Sequence, residues 1–148
     1  MVRSVFYFDW KAGHFNKLGY KTMLKVRDVL KAKSDNIWSI SSRTSVFRAL
    51  EIMGENDVEA LVVTERGCVV GIFSKRDYDG KKILNRKSLK KKSIRKLIST
   101  QLFSISPEKS IEECVNLMTD TRNSHLPVFE NNKLIGIVSV GDIKQSPE

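Results

Sequence analysis

The sequence is poor in the residues that build disulfide scaffolds, metal centres and membrane spans. It has two cysteines, Cys68 and Cys114, and neither has a second cysteine or a histidine at metal-ligand spacing. No apolar run approaches the ~20 residues that cross a bilayer, and no signal-peptide pattern opens the chain. We therefore expect an intracellular protein, cytoplasmic and without membrane contact, whose thiols are reduced. A mitochondrial matrix location is the alternative, because residues 1–22 carry four cations and one acid.

Residue patterns typical of catalysis are also missing. The chain has no phosphate-binding loop, no dinucleotide-binding glycine motif and no cluster of metal ligands. It has two histidines, and neither His14 nor His125 lies beside a nucleophile motif. We therefore predict a binding protein and not an enzyme, without catalytic residues and without a metal site.

Positive charge dominates the composition. The net charge is +9, and nine of the sixteen residues from 81 to 96 are Lys or Arg. Such a run can contact nucleic acid or another anionic surface, but no aromatic residues are interleaved to stack on bases. We favour a solvated basic linker over residues 85–93 and retain nucleic-acid binding as the remote alternative.

The chain contains an internal duplication, which is its strongest signal. Residues 38–77 align with residues 103–142 at a constant offset of 65, with 12 identities in 40 positions. A shorter match precedes it, because residues 26–30 resemble residues 94–98. The duplication predicts two structurally equivalent repeats.

Each repeat has the pattern of a β-α-β-β-α unit. Ser45 and Ser110 are expected to cap the first helix of their repeats, and Glu113 completes a capping box with Ser110. The turns Arg66-Gly67 and Asn131-Asn132 separate two apolar runs in each repeat. Predicted strands cover 37–41, 60–64, 69–74, 126–130 and 134–139, and further helices start near Lys75 and Val140. The helical apolar stripes predict these core residues: Val46, Ala49, Leu50, Met53, Ile111, Cys114, Val115 and Met118.

A recurring Gly-Ile-X-Ser-X-X-Asp segment, at 71–77 and 136–142, closes each repeat. The Ser can cap the following helix, and the Asp one turn later can accept hydrogen bonds from a vicinal diol such as ribose. The same Ser and Asp can instead form an N-terminal cap pair that stabilises by ~1 kcal/mol and binds nothing. The spacing alone leaves both interpretations open.

Taken together, residues 24–145 resemble a tandem pair of CBS (cystathionine-β-synthase-type) repeats, the Bateman module. The resemblance rests on Ser-Val-Phe-Arg-Ala-Leu at 45–50, His-Leu-Pro-Val at 125–128 and the two Gly-Ile-X-Ser-X-X-Asp segments. Small stand-alone two-CBS proteins of bacteria and plant organelles are especially similar. The resemblance implies an α/β (α+β) fold, in which two pseudo-twofold-related repeats pack through their sheets. The expected divisions are an aromatic-rich extension (1–22), repeat one (23–84), the basic linker (85–93) and repeat two (94–148).

The resemblance also implies a regulatory ligand. In this family it is commonly an adenine nucleotide, with AMP or ATP the first expectation and ADP, NAD(H) or an adenosyl compound as alternatives. Asp would bind the ribose hydroxyls, Ser a phosphate and Ile the base, in two clefts that each draw on both repeats. One cleft would use Ser74, Arg76, Asp77, Lys81, Lys82, Ser104, Ile105, Ser124 and His125. The other would use Ser39, Ile40, Glu59, Ala60, Ser139 and Asp142.

The two implied clefts differ in charge. Arg76, Lys81 and Lys82 supply phosphate partners to the first cleft, whereas Glu59 would repel an anion in the second. We therefore predict that the Asp77 cleft binds nucleotide better. The resemblance further implies a homodimer and a separate regulated protein that the sequence does not identify. A structural or oligomerising pair with degenerate clefts is the alternative function.

Residues 1–22 lie outside the resemblance and hold six of the twelve aromatic residues. Two interpretations stay open for them. They can form a strand or clamp that covers a partner subunit, or they can be an upstream extension, with Met23 as the usual start.

Overall fold

A computed structural model describes residues 4–9, 14–19, 24–33, 36–79, 86–98 and 101–144. For residues 4–9, 14–19, 77, 79 and 86 the description covers the backbone alone. In chain order the elements are β1 (Ser4–Asp9), β2 (His14–Gly19), α1 (Val26–Ala32), β3 (Ser39–Ser41), α2 (Val46–Asn56), β4 (Ala60–Glu65), β5 (Cys68–Ser74), α3 (Lys75–Asp79), α4 (Arg86–Lys91), a 3₁₀ turn (Ile94–Lys96), α5 (Ile111–Thr121), β6 (His125–Glu130), β7 (Lys133–Ser139) and α6 (Val140–Lys144).

The chain divides into two compact units. The first-repeat unit comprises Asn36–Leu102, and the second-repeat unit combines Met1–Asp35 with Phe103–Glu148. Each unit has its own apolar core. The mixed α/β class expected from the sequence is confirmed.

The first-repeat unit is built on a three-stranded sheet in the order β3-β4-β5. β3 is parallel to β4, and β4 is antiparallel to β5. Helix α2 connects β3 to β4, and the predicted N-cap is confirmed because Ser45 Oγ accepts from the Arg48 N–H at 3.1 Å. Arg66 (φ 53°) and Gly67 (φ 80°) form the tight turn, because two consecutive residues with positive φ match the twist of a hairpin. The buried side chains of this core are Ile40, Val46, Ala49, Met53, Leu61, Val63, Phe73 and Ile94.

In the second-repeat unit, the hairpin β6–β7 and helix α5 repeat this arrangement. The predicted capping box is confirmed, because Ser110 Oγ accepts from the Glu113 N–H at 3.1 Å and the Glu113 carboxylate accepts from the Ser110 N–H at 3.4 Å. Asn131 (φ 52°) and Asn132 (φ 61°) form the turn. The buried side chains here are Val26, Val29, Ile105, Ile111, Cys114, Val115, Met118, Leu126, Val128, Val138 and Ile143.

The first strand expected in repeat two is reduced to a single parallel bridge between Ile105 and Val128. Two prolines explain the difference. In repeat one, the Val62 N–H donates to the Trp38 carbonyl and the Ser42 N–H donates to the Thr64 carbonyl. The offset of 65 replaces these two donors with Pro127 and Pro107. Proline has no N–H to donate, so the ladder cannot extend on either side of Ile105.

The segments that precede the two repeats are exchanged between the units. Helix α1 precedes repeat one in the sequence but packs on β7 in the second-repeat unit. The 3₁₀ turn precedes repeat two but belongs to the first-repeat unit, where Ile94 is fully buried. The predicted divisions at residues 23 and 94 follow sequence order, whereas the compact units do not.

Two glycines show how closely the exchanged segments pack. A Cβ built on Gly136 would lie 2.8 Å from Leu30 Cδ2, and one built on Gly71 would lie 3.3 Å from Ile98 Cδ1. Gly71 and Gly136 are equivalent in the duplication, as are Leu30 and Ile98. The glycine of the Gly-Ile-X-Ser-X-X-Asp segment therefore leaves room for the preceding segment of the other repeat.

Ion pairs at equivalent positions also fix the exchanged segments. Arg27 pairs with Glu130 and with Glu108, and its Nε lies 2.7 Å from Glu108 Oε2. In the other unit, Arg95 Nη1 lies 2.8 Å from Glu65 Oε1. The hydrogen bond from Arg27, followed by that from Lys25, lowers the pKa of the Glu108 carboxyl. These pairs are exposed, so we assign them a role in positioning more than in stability.

The N-terminal strands β1 and β2 form an antiparallel hairpin, in which Phe8 pairs with Phe15 and Asp9 with His14. The backbone of β1 lies beside α6. The hairpin is compatible with either interpretation of residues 1–22.

Part of the predicted basic linker is helical. Helix α4 lies against α2, and Lys90 Nζ stands 5.1 Å from the centre of the Phe47 ring.

Within the described ranges, every helix falls short of the length and apolar character that a bilayer crossing requires.

Candidate functional site

The Ser of each Gly-Ile-X-Ser-X-X-Asp segment lies at the last position of a hairpin. Ser74 ends β5 and pairs across the ladder with Ala60, and Ser139 ends β7 and pairs with His125. The sharp passage from strand to helix therefore places the predicted phosphate-binding Ser beside the residues that begin the second strand of the same repeat. The family resemblance had assigned Ser74 and its partner Ala60 to different clefts, and likewise Ser139 and its partner His125.

In repeat two, the Ser and Asp form a reciprocal cap at the start of α6. The Ser139 N–H donates to Asp142 Oδ2 at 2.9 Å, and the Asp142 N–H donates to Ser139 Oγ at 3.0 Å. This geometry is the cap pair that the spacing allowed. It also fixes the position and orientation of the carboxylate that the family resemblance assigns to ribose.

Lys33 is a third member of this cluster, which we call the Asp142 cluster (Lys33, Ser139 and Asp142). Its Nζ donates to Asp142 Oδ2 at 2.7 Å and to the Ile137 carbonyl at 2.9 Å. Both side chains of the ion pair are 22% exposed, so solvent screens the pair less than it screens the ion pairs of Arg27. Lys33 was not among the predicted site residues, since nothing in local spacing links it to a residue 109 positions away.

Ser124 and His125 adjoin the Asp142 cluster from the start of β6. The Val140 N–H donates to the Ser124 carbonyl at 2.9 Å, and Ser124 Oγ lies 3.0 Å from His125 Nδ1. Both side chains are half-buried. A hydroxyl and an imidazole can together bind a phosphate or a sugar hydroxyl, since each can donate or accept hydrogen bonds.

The first-repeat unit holds the corresponding residues. Ser74 is completely buried, and Ile40 is 7% exposed, whereas Ser39, Glu59 and Arg76 are exposed. The Lys75 N–H donates to the Glu59 carbonyl at 2.9 Å, as Val140 does to Ser124.

Three of the predicted ligand contacts lie outside the description. The side chain of Asp77 is among them, and so are Lys81 and Lys82 in full. Of the remaining predicted residues, Ser104 is exposed and Ile105 is 7% exposed, both in the second-repeat unit.

Other reactive groups suit packing better than chemistry. Cys114 is fully buried, as the sequence predicted, and burial raises the pKa of its thiol to about 12. Among the residues that the structure describes, no group of three or more His, Cys, Asp or Glu side chains could hold a metal ion.

Comparison with protein families finds a repeated match. The family model described as "CBS domain" matches residues 26–78 and again residues 94–147. These two matches cover most of both repeats, including both Gly-Ile-X-Ser-X-X-Asp segments.

Curated relatives include a protein whose name also contains the CBS domain. The CBS domain-containing protein CBSX3, mitochondrial, of Arabidopsis thaliana is 32% identical over 128 residues, which is 80% of this chain. The chain spans only 62% of that protein's length. A homoserine O-acetyltransferase of Methanosalsum zhilinae is 27% identical over 142 residues, and this match covers 27% of the enzyme.

Solved structures share the fold. A protein with CBS domains from Burkholderia ambifaria MC40-6 is 34% identical with a TM-score of 0.75, covering 82% of this chain and 92% of that one. The CBS domain pair of protein MJ0100, solved with 5′-methylthioadenosine and S-adenosyl-L-methionine, is 21% identical with a TM-score of 0.69. That match covers 84% of this chain and 95% of the other.

Proposed function

Because this chain belongs to the CBS-domain family and carries two copies of the domain in tandem, we propose that it is a regulatory module that binds an adenine-containing ligand. Adenine nucleotides, AMP and ATP first, are the proposed ligands. Binding alters how the repeats pack and so changes the affinity for a separate partner protein. The chain supplies binding groups in this proposal and no catalytic ones.

One observation carries the proposal. The duplicated Ser stands at the end of a strand in both repeats, opposite Ala60 and His125. In repeat two the Ser139 and Asp142 side chains each accept from the other residue's backbone N–H, and the same spacing predicts this arrangement for Ser74 and Asp77. A hydroxyl and a carboxylate fixed at adjacent positions suit a ligand that combines a phosphate or other polar group with a vicinal diol.

The ligands named for protein MJ0100 support the adenine class. 5′-Methylthioadenosine and S-adenosylmethionine share an adenosine moiety, with its base and ribose diol, and differ in the sulfur substituent. An AMP or ATP molecule carries the same adenosine moiety with phosphate in that place. The comparison therefore supports the adenosine moiety of the proposed ligand. Titration identifies the group attached to it, which is a phosphate or a sulfur substituent.

Isothermal titration calorimetry tests the proposal directly. Protein freed of co-purified ligand is titrated with AMP, ATP, NADH and S-adenosylmethionine, and the released ligand is identified by mass spectrometry. We expect binding of at least one adenine compound. The 2′-deoxy analogue of that compound, which lacks the diol, should bind at least about tenfold more weakly, the scale of one charged hydrogen bond. If none of the four compounds binds, the proposal is wrong.

Variants test the ranking of the two Asp residues. Asp77→Ala is expected to weaken binding more than Asp142→Ala, because Arg76 is an exposed cation beside the first and Lys33 already engages the second. Asp120→Ala, at an exposed position on α5, is the matched control and should leave affinity unchanged. The reverse order for Asp77 and Asp142 would refute the ranking.

A structural or oligomerising role is the second candidate. The cap pair and the Lys33 ion pair favour it, because they give Ser139 and Asp142 a structural task without any ligand. The two candidates differ in solution: a purely structural pair binds none of the four compounds, and its oligomeric state is unchanged by them.

Three expectations accompany the proposal. We propose a homodimer, measurable by sedimentation equilibrium, and a cytoplasmic location, with the mitochondrial matrix as the alternative to be checked by fractionation. Nucleic-acid binding through the basic run is the least supported of the functions considered, since no aromatic residues are interleaved in the run to stack on bases. A steep salt dependence of RNA binding would revive it.

A further inference from the structure

We propose that Lys33 blocks the Ser139–Asp142 site against a ligand diol, so that the chain binds one adenine ligand and not two. This inference rests on the proposed function and specifies it further. It assigns to Lys33 a role in selectivity that neither the family match nor the names of the relatives include. All the contacts that carry it lie within the second-repeat unit.

The Asp142 carboxylate is already engaged by strong donors. Its Oδ2 atom accepts from the Lys33 ammonium at 2.7 Å and from the Ser139 N–H at 2.9 Å. A ribose diol binds a carboxylate by donating from both hydroxyls, which needs acceptor positions on the same group. A neutral hydroxyl is a weaker donor than an ammonium ion. A diol is therefore at a disadvantage against Lys33 for this oxygen.

Lys33 also makes hydrogen bonds to groups other than Asp142. It is the C-cap residue that follows α1, and its backbone N–H donates to the Leu30 carbonyl. Its Nζ donates also to the Ile137 carbonyl on β7 at 2.9 Å. Two acceptors on different elements fix the ammonium group, so that displacing it costs both hydrogen bonds.

The two repeats differ at the position of Lys33. Extending the alignment of residues 26–30 with residues 94–98 by three positions sets Lys33 opposite Gln101. In sequence, the leading segment of the second-repeat unit thus carries a cation where the leading segment of the first-repeat unit carries a neutral amide. By this alignment, the duplicated leading segments supply a lysine to one copy of the motif and a glutamine to the other.

The test measures the number of ligands bound per chain. Calorimetry with AMP, ATP and S-adenosylmethionine is carried out on wild type, Lys33→Met, Lys33→Arg and Lys25→Met. We expect one site per chain in wild type and two in Lys33→Met, the new site gaining at least about tenfold in affinity, the scale of a charged hydrogen bond. Lys33→Arg retains a cation and should keep one site.

Two controls secure the assignment. Lys25 lies at the other end of α1 and forms a more exposed ion pair with Glu108, so Lys25→Met removes a cation from the same helix and should leave one site. Lys33→Met combined with Asp142→Ala should return the count from two sites to one. Thermal unfolding of each variant confirms that it folds, and Lys33→Gln substitutes for Lys33→Met if the latter does not.

The outcomes separate this inference from the proposed function. One site in both wild type and Lys33→Met, or two sites in both, overturns the inference and leaves the function standing. Weaker binding in Lys33→Met identifies Lys33 as a ligand contact and also overturns it. No binding by wild type but one site in Lys33→Met supports the blocking role of Lys33, but it overturns the single wild-type site and the proposed function of the natural chain. No binding by any variant overturns both.

Discussion

Replacing Gly136 with alanine tests the closest contact in the second-repeat unit. The new methyl group would lie 2.8 Å from Leu30 Cδ2 and 3.2 Å from Leu30 Cδ1, whereas carbon atoms in contact prefer about 3.5–4.0 Å. Overpacking of this kind costs about 1–3 kcal/mol. Alanine also lowers the conformational entropy of the unfolded chain, which stabilises the folded state by about 0.4–1 kcal/mol. We expect Gly136→Ala to lower the free energy of unfolding by about 1–2 kcal/mol.

Leu30→Ala provides the partner for a double-mutant cycle. Alone, it should cost about 2 kcal/mol, the lower end for removing a leucine side chain, because Leu30 is only partly buried. In the double variant the methyl group added at position 136 occupies space that the leucine side chain has left. The two single costs should therefore sum to at least about 1 kcal/mol more than the cost of the double variant.

The free energy of unfolding of the two single variants and the double variant is measured by urea unfolding, followed by far-ultraviolet circular dichroism and fitted with a common m-value. Gly54→Ala is the matched control, since a Cβ at Gly54 meets nothing within 4 Å. Because Gly54 lies inside α2, that substitution should stabilise by about 1 kcal/mol. If Gly136→Ala is as stable as wild type, or additive with Leu30→Ala, the close contact of Leu30 with Gly136 is refuted.

Three further predictions concern the cap, the thiols and the acidic side chains. Ser110→Ala should cost about 1 kcal/mol in the same urea assay, because α5 loses its capping box. Pulsed alkylation and mass spectrometry should label exposed Cys68 in the folded protein and label Cys114 only on unfolding, since burial raises the pKa of Cys114 to about 12. The pKa of Glu108 is lowered from 4.5 in the folded state, so its stabilising contribution is present above that value and is lost as the pH falls through the folded value. Glu108→Gln should flatten the decline in melting temperature below about pH 4.5, and an equal decline in both proteins would contradict this.

Local signals carried most of the successful predictions. Ser45, Ser110 and Glu113 cap their helices as expected, because a cap depends on residues three positions apart. The two turns also form where the sequence placed them. The duplication then extended each local prediction to the other repeat.

The shortened first strand of repeat two was predictable from the sequence but was missed. Pro107 and Pro127 replace residues that donate to the ladder in repeat one. A comparison of repeats by similarity gives such positions no special weight, whereas a count of N–H donors along each predicted strand would have identified them.

The exchange of the leading segments could not be predicted by spacing. Residues 26–30 and 94–98 resemble each other, so sequence similarity assigns each to the repeat that follows it. The choice between packing on its own repeat and packing on the other depends on tertiary contacts, such as those of Leu30 with Gly136 and Arg27 with Glu130. These contacts join residues about a hundred positions apart, beyond the reach of any periodicity.

The exchange also gives the two copies of the motif different surroundings. Ser and Asp are the same in both Gly-Ile-X-Ser-X-X-Asp segments, so these two residues by themselves cannot make one copy bind and the other not. Lys33 reaches Asp142 because α1 packs in the second-repeat unit. A substitution in the leading segment therefore changes the properties of the motif in the other repeat while leaving the motif intact. The leading segments are therefore a second place, besides the variable motif position of Arg76, in which to test for a difference between the two copies.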